Sequence, residues 1–208
     1  MAVICFDFDG TLGDTLGLEE KYYLPACEKL GITLFPTMDA LKEACRINYY
    51  EYCREHGLSA EVIRRIGDEY RAALEQSGEK ASLFPGAAEM LKELISRHTV
   101  YVVSLNNEEF MKDRFREAGI TGFARIIGSE TSTAKVSTLR KLRAAHPDED
   151  FYFISDSVGD MGEAVEAGVP HILAVSYGWG LKEDLKNSGA HAVFDHIREL
   201  RAFLQSVS

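Results

Sequence analysis

The chain predicts an α/β fold, a doubly wound parallel sheet with an α-helical segment inserted after its first strand. Three observations carry that expectation. The apolar run Val3-Ile4-Cys5-Phe6 stops abruptly at acidic residues and Gly10, which reads as a buried strand reaching a sheet edge, although periodicity alone also allows a helical segment. Residues 15–81 carry helical patterns and no convincing strand. From about residue 82 onward, short apolar runs alternate with helical stretches, which implies parallel strands with helices on both faces.

Taken in order, the first strand delivers Asp7 and Asp9 at i and i+2. On an extended backbone these positions share a side, so the two carboxylates meet where the strand runs out. Such neighbours repel and raise one pKa unless a cation or proton intervenes. In the insert, 16–30, 38–56 and 59–76 read as helices, with Gly31, Gly57 and Gly78 as stops. The core resumes with helix 86–97, strand 99–104, helix 108–118, strand 124–128 and helix 135–145. Strand 151–155, helix 158–167 and strand 171–175 follow, then a helix near 181–187, a short strand 192–194 and a terminal helix. The expected domains are a core of 1–14 with 82–208 and a helical cap of 15–81. Right-handed crossovers put every strand's carboxyl end on one edge, and open parallel sheets bind ligands just outside that edge. The informative residues are therefore those that end strands: Asp7 and Asp9, Ser104, Asp156, and Gly178-Trp179.

At 208 residues the chain fits one large domain or a core with a modest insertion. Its 46% hydrophobic and 27% charged content is that of an ordinary soluble globular protein. A formal net charge of -10 argues against nonspecific nucleic-acid binding, which needs a basic surface. An anionic substrate would need local positive charge to offset that field. Cys5, Cys27, Cys45 and Cys53 form no C-x-x-C pair and read as unpaired thiols of a reducing compartment. No leader-like start and no apolar stretch near the ~20 residues of a bilayer span is present. The expectation is a cytoplasmic protein with no membrane or nucleic-acid partner; its oligomeric state does not follow.

Asp7-Phe8-Asp9-Gly10-Thr11-Leu12, with Asp14-Thr15, resembles the first motif of the haloacid dehalogenase-like superfamily, specifically its phosphatases. Val102-Val103-Ser104 resembles the second, an apolar strand ending in Ser or Thr. Lys135 fits the third, and Ile154-Ser155-Asp156-Ser157-Val158-Gly159-Asp160 resembles the fourth, with acids at i and i+4. Leu83-Phe84-Pro85-Gly86 is similar to the family's return from cap to core. The likeness runs from residue 3 to about 180. Two positions depart from it: Ser155 stands where the family often has Gly, and Val136 where it often has Pro after the lysine. Lys141 is the competing lysine, but it falls inside the following helix.

The resemblance implies a Rossmann-like core and a Mg²⁺-dependent phosphomonoester hydrolase acting on a small phosphorylated metabolite, similar to phosphoglycolate phosphatase-like members. Asp7 would be the nucleophile, ionised at neutral pH with a reference pKa of ~3.9. Asp9 would protonate the leaving alcohol and then activate water, for which its pKa must rise at a cost of about 4 kcal/mol. Mg²⁺ would be held by Asp7 and Asp156 carboxylates and the Asp9 carbonyl, with Asp160 acting through water. Ser104 and Lys135 would hold phosphate oxygens, and the turn at Gly10 and Thr11 would bring amides close to them.

Plainer readings stand beside these. Asp-Gly is a common turn pair. Asp156 and Asp160 suit a helix N-cap and first turn, and Ser104 suits a cap. Lys135 could be a solvated helix residue. Asn106 and Asn107 read as loop and cap residues, Trp179 as either rim or packing, and the aromatics of 46–52 as cap core. Dehalogenation and phosphonate hydrolysis are disfavoured because neither uses an acid at Asp9; the latter would also need a cap lysine, with Lys21 and Lys29 as candidates. A sugar-phosphate mutase would use both aspartates. The non-enzymatic rival is a phospholigand-binding protein that kept the fold.

Overall fold

The computed structural model describes residues 1–46 and 48–207. Its strands are β1 (Val3–Phe6), β2 (Gly13–Asp14), β3 (Ser82–Leu83), β4 (Thr99–Val103), β5 (Arg125–Ile127), β6 (Phe151–Ser155), β7 (His171–Val175) and β8 (Ala192–Phe194). Six of them form one sheet in the order β5-β4-β1-β6-β7-β8, and every neighbouring pair is parallel. The chain builds outward from β1 on one side, then crosses back to build outward on the other. This is the doubly wound order, and its switch point lies between β1 and β6. Phe6 is in register with Val102 on one side and Ile154 on the other, so Asp7 leaves the sheet at its centre.

Alternation along the strands divides the core into two layers. Ile4, Phe6, Val100, Val102 and Ile154 face helices α6 (Ala87–Ile95), α7 (Glu108–Glu117) and α11 (Ile197–Gln205), which contribute Met90, Leu91, Met111, Phe115 and Leu200. Val3, Cys5, Val103, Phe153 and Ile172 face α8 (Lys135–Ala145), α9 (Val158–Glu166) and α10 (Lys182–Lys186) through Leu139, Met161, Ala164 and Leu185. A β1 buried on both faces explains why it reads as an unbroken apolar run.

By contact the chain divides into two compact units, 1–14 with 82–208 and 15–81. Where the chain leaves and rejoins the first unit, Gly13–Asp14 pairs antiparallel with Ser82–Leu83. Strands of two residues are too short to show a period, so this ribbon has no sequence signal.

The second unit is helical: α1 (Leu16–Leu18), a π-helical turn Glu19–Tyr23, α2 (Leu24–Lys29), α3 (Met38–Arg46), α4 (Tyr49–Glu55) and α5 (Ala60–Ser77). The single helix expected over 38–56 is two, and Ile47 lies outside the described residues. Asn48 is extended and accepts a hydrogen bond from the Glu51 amide, so a new helix starts there. Ser59 caps α5 in the same way, and Gly78, at φ +69°, ends it. Tyr23, Phe35, Tyr49 and Tyr70 pack ring against ring within this unit, and of the aromatics of 46–52 Tyr49, half-buried, joins them. Among the described residues no helix is long and apolar enough to cross a membrane.

Candidate active site

The strand ends at the switch point bring together Asp7, Ser155, Asp156, Asp160 and Lys135, all within 6% exposure. Asp7 directly follows β1, and its amide donates to Ile154 O at 2.8 Å, which holds it against β6. Lys135 opens α8 and sends its ammonium inward, 2.8 Å from Asp7 Oδ1 and 2.5 Å from Asp160 Oδ2. Apart from that ion pair, Asp7 Oδ1 is buried without a hydrogen-bond donor. Burial pushes the Asp7 carboxyl well above the usual carboxylate range, against the pull of Lys135. Burial also works against the Lys135 ammonium, yet Asp160 and Asp7 together outweigh it and hold its pKa above the ordinary lysine value.

Lys141 is exposed, whereas Lys135 is the lysine that lies against Asp7 and Asp160. The two departures from the family pattern also acquire a purpose. Val136 keeps an amide that proline would lack, and that amide donates to Glu163 Oε2 at 2.8 Å. The Ser155 hydroxyl, fully buried, donates to Asp160 Oδ2 and lies 3.3 Å from Asp7 Oδ2. Asp160 therefore turns one oxygen toward both Lys135 and Ser155.

Asp156 follows β6 and is held from two sides, by Thr11 Oγ1 at 3.2 Å and by the Trp179 amide at 2.6 Å. Burial raises its pKa to about 7, with the Trp179 amide pulling the other way. The approach is made by bare backbone. At Gly10, which sits at φ +70°, a Cβ would fall 2.1 Å from Asp156 Oδ2; at Gly178 it would fall 2.1 Å from Gly10 O. The amides of Gly10 and Thr11 donate to Gly13 O and Phe8 O inside the turn, and Tyr177 Oη donates to Thr11 O. In this arrangement Thr11 shapes the turn and holds Asp156 rather than presenting itself outward.

Asp9 has a different environment. It is partly exposed, and both its oxygens accept from Asn106 Nδ2, at 2.9 and 3.1 Å, while Ser104 Oγ donates to Oδ2 at 3.3 Å. Ser104, expected at a phosphate, is here on Asp9. It does not cap α7; Asn107 does, accepting from the Phe110 amide at 3.0 Å. Asn106 is the residue of this cluster that, with Asn107, reads in the sequence as shaping a loop and capping a helix. Its only signal is its place three residues beyond a strand end, and that gains meaning once β4 is known to lie beside β1.

A divalent cation is implied by this kind of site, and the donors present fit one. They are hard oxygens, the buried carboxylates of Asp7 and Asp156, whose protonation burial favours. Among the described residues no group of three or more His, Cys, Asp or Glu side chains is arranged to hold a metal.

Fold and site together define an α/β enzyme core with its ionisable groups gathered on the carboxyl rim of a parallel sheet. The model of the haloacid dehalogenase-like hydrolases matches residues 4–174, and the chain belongs to that family. No curated protein matches. Among solved structures, it is similar to a haloacid dehalogenase-like family hydrolase of Streptococcus pneumoniae, at 25% identity over 99% of both chains and a TM-score of 0.77. A predicted phosphatase of Clostridium acetobutylicum superposes with a TM-score of 0.80 at 20% identity, again over 99% of both chains. A predicted phosphoglycolate phosphatase of Haemophilus somnus gives 0.72 at 17% identity, over 99% of this chain and 98% of the other.

Proposed function

We propose that the protein is a Mg²⁺-dependent phosphomonoester hydrolase that turns over a small phosphorylated metabolite through an aspartyl-phosphate. The observation that carries this reading is the unlike pair on one strand end. Asp7 is dry and faces the Lys135 ammonium, and Asp9, two residues on, is partly exposed among hydroxyl and amide donors. An oxygen of Asp7 attacks phosphorus and the bond to the ester oxygen breaks, while Asp9 gives that oxygen its proton so that an alcohol leaves. Asp9, now a carboxylate, takes a proton from water; the water oxygen bonds phosphorus, the Asp7–phosphorus bond breaks, and inorganic phosphate departs. Lys135 offsets charge on Asp7 and the phosphoryl oxygens, with Asp160 and Ser155 as its anchors. Asp7, Asp156 and the Asp9 carbonyl would hold Mg²⁺, which when bound supplies positive charge and alignment to the phosphoryl group. These core residues act on the phosphoryl group and its leaving oxygen, so selectivity among esters rests on residues other than these.

The test is hydrolysis of an aryl phosphate by the purified protein, followed by phosphorylated metabolites ranked by kcat/KM. The expected result is turnover that stops with a chelator and resumes when Mg²⁺ is returned. Binding of esters without turnover in Mg²⁺ would overturn the reading in favour of a phospholigand-binding protein. Transfer of labelled phosphate to a second sugar, rather than to water, would make the protein a mutase.

A further inference from the structure

We infer that Asn106 is a positioning residue for Asp9, holding the carboxylate in the plane in which it exchanges its proton with the leaving oxygen. The inference rests on the phosphatase reading above. One nitrogen facing both oxygens, at 2.9 and 3.1 Å, centres on the carboxylate and restricts its rotation about Cβ–Cγ. The amide cannot flip without loss, because its Oδ1 accepts from the Asn107 amide at 2.7 Å, which points Nδ2 at Asp9. Ser104 Oγ approaches the same carboxylate from β4, so Asp9 is held by two side chains of the neighbouring strand end.

Loop shape accounts for the Asn106 carboxamide oxygen, which accepts from the Asn107 amide, and not for its donor. The Asn106 backbone is held on its own, its amide donating to Ser104 Oγ at 3.1 Å and its carbonyl accepting from Ser129 at 3.0 Å. The cap of α7 comes from Asn107. Among the described residues the carboxamide donor goes to Asp9. A misplaced acid matters most when the leaving oxygen is basic and needs a proton, and least when it departs unaided.

The experiment compares Asn106→Ala and Asn106→Asp with the unaltered enzyme in Mg²⁺, on an alkyl phosphate and on p-nitrophenyl phosphate. Asn106→Asp keeps the size of the side chain and the acceptor for the Asn107 amide while replacing the donor with a like-charged oxygen that repels Asp9, so it covers the case in which the alanine variant does not fold. Expected is a fall in kcat/KM of about 100-fold for the alkyl ester and less than about threefold for the nitrophenyl ester. Equal losses on both esters, or none on either, in an active protein would overturn the inference and leave the phosphatase reading intact. An unaltered protein inert to every ester in Mg²⁺ would overturn the phosphatase reading and this inference with it.

Discussion

The two ends of the same parallel sheet are built on opposite terms. At the carboxyl rim, Asp7, Asp156 and Asp160 are buried around one lysine, and burial drives the first two away from their ordinary ionisation. At the amino rim the polar groups are smaller commitments. His98 accepts from the Ala2 amide at 3.2 Å, and His171 stacks on Tyr152 at 4.4 Å, with Asp150 3.7 Å away and largely exposed. Burying like charges together is costly and is retained where the charge has a task. The difference supports the proposal that the carboxyl rim is the working end and the amino rim scaffold.

The largest expected effect comes from Asp7→Asn, which removes the reacting oxygen while keeping size. Steady-state turnover of an aryl phosphate should fall by about 10⁴-fold or more. Retained activity would move the chemistry off this rim. Next is Lys135→Met, which leaves two buried carboxylates without their cation and should lower stability by about 3–5 kcal/mol in urea denaturation. Adding Asp7→Asn to it should recover part of that loss, because one stranded charge goes with its partner; strict additivity would show that the pair is not coupled.

The smallest effect belongs to the amino rim. Burial, aided by Arg97 and the N-terminal charge, holds the His98 imidazole below its usual 6.5. A depressed histidine favours the folded state while neutral, so its contribution is full above that pH and is lost as pH falls through the lower folded-state value. The melting temperature should therefore drop on acidification below about 6.5, less steeply in His98→Gln, with kcat unchanged. A change in kcat would blur the division between the rims.

How much of this was legible follows from the range of each signal. The alternation after residue 82 gave the sheet and the helix starts at Glu108, Lys135 and Val158, because burial pattern and period are properties of chain neighbours. The break at Asn48 was missed because helical periodicity on both sides of it outweighed a lone capping residue. That Asp7 and Asp9 stand near a strand end could be expected from the apolar run, although β1 itself stops at Phe6, so the two-residue repeat does not extend through them. Their unlike surroundings could not, since they depend on residues about 100 to 150 positions away.

What the sequence determined by itself was a doubly wound α/β chain with acids at the ends of its strands, for apolar period and strand-end chemistry are written locally. Only the tertiary structure decided that β4 and β6 flank β1. That adjacency sets Asn106 and Ser104 on Asp9, and it brings Ser155 and Asp160 to Lys135. The physical reason is that strand order is chosen by the packing of whole layers, so two acids separated by one residue end in environments that no local pattern distinguishes.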